Sequence, residues 1–191
     1  MDMELMADAI DAFEQRLGAV DAAQWSAATP CDDWDVRTLV NHVVGELLWI
    51  PPLLEGSTIA EVGDRFDGDI LGSEPLTTAR SAASDALAAA SQPGAHDRIV
   101  HLSFGDFTGG DYLGQVVSDV IIHSWDLARA IGADDRLDPA HVTFVDEFLG
   151  PQLDAWRSAG AFGAAVEVGA GASAQDRLLA QTGRSATWTG R

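Results

Sequence analysis

Apolar residues recur along most of this chain at the three- and four-residue spacing of a helix face. Residues 3 to 19 place Leu5, Ala9, Ile10, Phe13 and Leu17 on one side, which predicts an amphipathic helix. The stretch "DAAQWSAATPCDDWDV" breaks that period with Pro30 and a run of small and polar residues, and reads as a connector. Asp35 is a good N-cap for a second helix, "VRTLVNHVVGELLWI", which Pro51 and Pro52 should end or bend. Residues 55 to 74 are rich in glycine and acids without regular spacing, and predict a long loop with room for one helical turn.

A third helix is expected over residues 75 to 91, closed by Pro93-Gly94. "DRIVHLSFGDFTGGDY" alternates Ile99, His101 and Ser103 against Val100, Leu102 and Phe104, a short extended segment with turns at Gly105-Asp106 and Gly109-Gly110. A fourth helix runs from about residue 111 to 131 and stops at Gly132. A fifth is expected over 139 to 157, and a short one at "AQDRLLAQTG". The fold class is therefore all-α: a four-helix bundle with a long decorated connection, a short extended segment and a C-terminal extension. Residues 1–160 are assigned to the bundle, and 161–191 to an extension packed on the same domain.

Two polar interruptions carry the chemistry. On the fourth helix, "SDVIIHSWDLARAIG" buries His123 in an aliphatic stretch. Asp119 lies about 40° from it around the helix axis and Asp126 about 60° on the other side. On the second helix, His42 stands among Leu39, Val40, Val43 and Val44, with Glu46 one turn further on. Each histidine alone reads most simply as a core group bonded to an acid. Two inward histidines on facing helices, one with an acid a turn before it, form the pattern from which bundle cores build metal sites. Geometry alone leaves both readings open.

Composition removes partners. The 191 residues carry thirty acids against eleven bases, all arginine, for a net charge of −19. Nucleic-acid backbones and anionic membranes would be repelled. No apolar run is long enough to span a bilayer, and the acidic, amphipathic N-terminus is unlike a secretory signal. A single cysteine, Cys31, makes no internal disulfide, so a reducing cytoplasm is the expected location.

The segments "TPCDDWDVRTLVNHVVGE", "VHLSFGD" and "DVIIHSWDLARAIG", together with the terminal "RLLAQTGR", resemble actinobacterial metal-binding proteins related to the amino-terminal domain of mycothiol-dependent maleylpyruvate isomerase. That group belongs to the DinB-like four-helix metalloprotein superfamily. The resemblance implies a DinB-like bundle holding a divalent ion through His42, Asp119 and His123. Zinc suits these ligands best, and nickel or iron(II) also fit them. It implies metal-dependent thiol transferase or isomerase chemistry with mycothiol as co-substrate, and Glu46 or His101 as proton carriers. The isomerase carries glutamate where this chain has Asp119, one methylene shorter, so the helix must sit closer or the carboxylate must bind through water. Asp126 and Glu46 are the reserve ligands.

The expected partners are then a small-molecule substrate or a low-molecular-weight thiol, with a homodimer as the larger assembly considered. The rival function is a metal-binding sensor or interaction module without turnover. A third reading has no metal, only a hydrogen-bonded core. Cys31, beside Pro30 and two aspartates, is assigned a structural role. Arg37 and Arg129 should pair with nearby aspartates, and Trp34, Trp49 and Trp125 should pack in the core, with Trp49 walling a pocket. His96 and His141 are expected in solvent.

Overall fold

A computed structural model describes residues 1–190 of the chain. Four long helices form the bundle: α1 (Met3–Leu17), α2 (Val36–Leu54), α4 (Pro75–Ala90) and α5 (Gly109–Ile131). Around the bundle the order is α1, α4, α2, α5, so α1 and α2 are diagonal to each other. Local chemistry sets the ends. The Asp2, Asp35 and Thr108 side chains each accept a backbone N–H in the first turn of α1, α2 and α5. Gly132, in the left-handed conformation at φ 71°, stops α5. Ala79, Ala82, Ala83, Ala86 and Ala90 line the buried side of α4, which lets α2 and α1 approach closely. Around α5 nearly every side chain from Val116 to Ala128 is buried. A helix apolar on all sides belongs at the centre of the fold.

Three expectations about elements are corrected. Pro51 and Pro52 do not end α2, which continues through both to Leu54. Each proline removes one donor from the ladder, yet both sit in the last turn, where Glu55 N–H still reaches the Pro51 carbonyl. The expected turn at Gly105-Asp106 is instead the start of a second strand. β1 (Ile99–Leu102) pairs antiparallel with β2 (Gly105–Thr108), Leu102 opposite Gly105. The helix expected over 139 to 157 breaks at Gly150-Pro151 into α6 (Pro139–Leu149), a 3-10 turn and α7 (Leu153–Ser158), since Pro151 cannot continue the hydrogen-bond ladder of α6.

The loop between α2 and α4 holds one helical turn, α3 (Ile59–Val62), as expected. It is tied down by α2. Arg37 pairs with Asp69 at 2.6 Å and donates to the Gly72 carbonyl, while Asn41 exchanges hydrogen bonds with Gly68 and Ile70. At the other end of the chain, α8 (Ala174–Gln181) packs on α6 and buries Leu178, Leu179 and Ala180. Among the described residues no helix is long and apolar enough to cross a membrane.

The start of α5 is a close-packing point. A Cβ on Gly109 would stand 2.1 Å from the Ala95 carbonyl oxygen and 3.0 Å from Leu54 Cδ2. The neighbour is backbone and cannot rotate away. Gly109→Ala is expected to destabilise the fold by about 2 to 3 kcal/mol, read as a lower urea midpoint at unchanged slope. A change within 0.5 kcal/mol would show that this junction relaxes freely.

Candidate metal centre

The α2 and α5 helices face each other across the core, and their polar residues meet. His42 Nε2 lies 2.9 Å from one Asp119 oxygen, and His123 Nε2 lies 3.3 Å from the other. Asp119, His42 and His123 each offer a ligand atom within 4.8 Å of the others. That separation is close enough for the three to converge on one divalent ion after side-chain adjustment. Two imidazole nitrogens and a carboxylate are a fitting donor set for a divalent ion. The shorter aspartate side chain reaches both imidazoles directly.

His123 is held from behind. Its Nδ1 lies 2.9 Å from Asp126 Oδ2, so Nδ1–H donates to that carboxylate and Nε2 is turned toward Asp119. This is the carboxylate–imidazole pairing that orients metal-binding histidines. Asp126 is fully buried and is itself paired with Arg184, which donates through Nη2 at 2.9 Å. The Cys31 thiol donates to the same oxygen at 3.3 Å. Arg184 Nε donates to the other oxygen at 3.4 Å, so Asp126 is occupied on both oxygens and bonds the His123 nitrogen opposite the one that faces Asp119. Trp34 covers the two imidazoles, its ring centroid 4.9 Å from that of His42 and 5.6 Å from that of His123. Asp33 before it adopts φ 63°, a left-handed turn that aspartate tolerates better than most residues.

These contacts set the charges. Burial alone would lower the His123 pKa, but the Asp119 charge and bonds to Asp119, Asp126 and Cys31 raise it well above the ordinary histidine value. Burial would raise Asp119; His123 and His42 outweigh it and hold its carboxyl far below the usual range. For Asp126, too, burial is opposed and overcome, chiefly by Arg184 and then by His123. Glu46 goes the other way. Burial first, and the Asp119 charge second, raise its carboxyl above the ordinary value, against a weaker pull from both histidines. It is the acid of this cluster that takes up a proton most readily.

The structure therefore brings together His42, Asp119, His123 and Glu46, and sets Asp126 behind His123. It does not bring in His101, whose side chain is 44 % exposed and bonded to Asp106 on the hairpin. Arg129 pairs with Asp135, not with Asp126 three residues before it. Cys31 lies against the site, not in a remote structural loop. His141 is buried, and His96 Nε2 is buried without a partner, contrary to their expected solvation. Sequence reasoning missed Arg184, although it stands in the "QTGR" motif, because no helical spacing links it to α5.

A cavity of about 320 Å³ opens beside the cluster and reaches His42, Glu46 and Asp119. Its walls include Trp49, as expected, with Leu53, Leu149 and Trp156. Tyr112 also lines it, and the phenolic hydroxyl is buried without a hydrogen-bond partner.

Comparisons with known proteins bear on the family and the fold. Two uncharacterized proteins of Mycobacterium tuberculosis, one from each of two strains, are 33% identical over 129 residues, 68% of this chain and 66% of theirs. The chain thus spans just under two thirds of these relatives' length. Crystal structures of the mycothiol-dependent maleylpyruvate isomerase and of a histidine-to-alanine mutant share the fold. Their TM-scores are 0.63 and 0.65 at 16% identity, covering 86% of this chain and 73% of theirs. The bundle is accordingly DinB-like. The model for the mycothiol maleylpyruvate isomerase N-terminal domain matches residues 6–128, a span that holds His42, Glu46, Asp119, His123 and Asp126. The chain belongs to the mycothiol maleylpyruvate isomerase N-terminal domain family.

Proposed function

We propose that the chain binds one divalent metal ion through His42, Asp119 and His123 and uses it in transferase or isomerase chemistry with a low-molecular-weight thiol of the mycothiol type. The observation that carries this reading is the convergence of two imidazole Nε2 atoms on the two oxygens of one carboxylate, at the edge of an open cavity. A divalent ion there supplies the positive charge that lowers the pKa of a bound thiol or water. Zinc suits the donors; nickel and iron(II) are the alternatives.

The chain's own residues do the rest. Asp126 fixes the His123 ring through Nδ1–H, and Arg184 keeps Asp126 ionised in a fully buried position. Trp34 shields the imidazoles from water on one side. Glu46, one turn from His42 and lining the cavity, is placed to accept the thiol proton and return it. Its raised carboxyl value makes it a better proton acceptor than an ordinary glutamate. Its removal should separate the roles. Glu46→Gln is expected to leave metal content near that of wild type while lowering kcat about 10²-fold; loss of the ion instead would make Glu46 a ligand.

A non-catalytic metal-binding module is the rival. It gains weight if protein groups cap the open coordination positions, whereas the cavity leaves His42 and Asp119 accessible from one side. Cobalt substitution tests the two. Adding mycothiol should bring up an intense near-ultraviolet charge-transfer band in wild type and none in His42→Ala. A spectrum unmoved by any thiol would favour the module.

A further inference from the structure

The cavity beside the metal cluster is chemically lopsided. Its apolar wall is built from Trp49, Leu53, Phe104, Leu149, Trp156 and Phe162. Phe104, at the hairpin tip, meets Trp156 of α7 edge-on with ring centroids 5.7 Å apart. The polar groups are His42, Glu46, Ser103, Tyr112, Gln115 and Asp119. Among the described residues no arginine lines it, and the chain has no lysine. The nearest arginines by sequence are committed elsewhere. Arg157, next to Trp156, bonds Asp154 at 2.6 Å and the Gln181 carbonyl at 2.7 Å; Arg98 donates to the Leu54 carbonyl.

A carboxylate entering this cavity would lose its water, find no cation, and stand near the Asp119 charge. An ion held by Asp119 keeps one unit of positive charge, which the co-substrate thiol consumes on ionising. Nothing then remains to balance an acidic substrate. Tyr112 supplies the opposite cue. Its side chain is 4 % exposed and its hydroxyl lacks a partner, which is unfavourable unless a ligand accepts from it. Burial, and then the Glu46 charge, hold the phenol well above its ordinary value, so it remains a donor.

We propose that the cavity takes an uncharged, flat, largely apolar electrophile with a carbonyl oxygen that accepts from Tyr112, and discriminates against dicarboxylates. This deepens the thiol-dependent reading and rests on it for the chemistry, but not for the binding. With a conjugated carbonyl the atoms balance simply. Sulfur bonds to the β-carbon, the C=C electron pair shifts toward the carbonyl oxygen at Tyr112, and the thiol proton, carried by Glu46, ends on the α-carbon. Retaining the adduct is transfer. Reversing the addition after rotation about the new single bond is cis–trans isomerisation.

The test pairs two ligands that differ in charge and by one methyl group. Methyl benzoylpropionate and the benzoylpropionate anion, both unreactive toward thiols, are titrated by calorimetry into the whole chain, metal-free and zinc-loaded with the thiol present. The ester should bind about tenfold or more tightly than the anion, and Tyr112→Phe should weaken ester binding about threefold to tenfold. Trp156→Ala, which leaves Tyr112 in place, should weaken it as well. Equal or tighter binding of the anion, or no binding of the ester, overturns the proposal. The unsaturated counterparts, methyl benzoylacrylate and benzoylacrylate, are then assayed with mycothiol, each rate divided by its uncatalysed rate. A preference for the ester in binding without any turnover sustains this inference and rejects the thiol-transfer reading.

Discussion

Replacing His123 by alanine is expected to strip the protein of its metal while leaving the bundle folded. Structural zinc sites contribute about 10 to 16 kcal/mol, so one of three protein ligands is worth roughly 3 to 5 kcal/mol, or about 10³-fold in affinity. Elemental analysis should fall from about one ion per chain to near zero. The fold should persist because the groups left behind keep partners: Asp119 retains His42, and Asp126 retains Arg184 and Cys31. Far-ultraviolet circular dichroism checks that. The two carboxylates separate the roles further. Asp119→Asn should weaken metal binding more than Asp126→Asn, because Asp119 faces both imidazole Nε2 atoms while Asp126 acts only through the His123 ring. The second substitution should cost the 10- to 100-fold typical of an orienting partner. A larger effect at Asp126 would reverse the assignment. Wild-type protein grown with ample metal and carrying none would end the metal reading altogether.

The helices were legible because their signal is local. Asp35 before an apolar run, and Gly132 after one, mark ends that the backbone must satisfy wherever the helix packs. The convergence of His42, Asp119 and His123 was legible for a related reason. A polar group inside an apolar stripe needs a partner, and helical spacing says which way it faces. The misreadings share the opposite cause. Two prolines in the last turn of α2 remove few hydrogen bonds, so local propensity overstated them. Gly105 reads as turn and strand edge alike until Ile99–Leu102 is beside it. Cys31 was judged from its neighbours Asp32 and Asp33, yet what touches its sulfur comes from α5 and from the far C-terminal segment. Arg184 is separated from Asp126 by 58 positions, with no period connecting them. Tyr112 carries no periodic signal of its own; the burial of its hydroxyl without a partner sets it apart.

Arg184 also carries the largest expected effect on stability. Asp126 is fully buried in the low dielectric of the core, and the Arg184 side chain is 11 % exposed. Removing one member of such a pair strands the other charge, at a cost of about 3 to 5 kcal/mol. Arg184→Met keeps the aliphatic stem and deletes only the guanidinium. For a chain of this length that loss lowers Tm by about 10 °C, measured on metal-free protein. The pH dependence gives the sign. In wild type the Asp126 carboxyl lies below its ordinary value of 3.8, so its stabilisation is present above that value and fades as pH falls through the folded one. Without Arg184 the strongest force lowering it is gone, and burial drives the carboxyl upward. The deficit of the variant should then be greatest near neutral pH and shrink toward about pH 4, as Asp126 takes up a proton. Asp126→Asn placed on the Arg184→Met background should recover a good part of the loss, since it removes the stranded charge. The same background should show weaker metal binding, because an unanchored Asp126 no longer fixes the His123 ring. A loss below about 1 kcal/mol, flat with pH, would mean that water reaches Asp126 in solution, as it does around ordinary surface pairs.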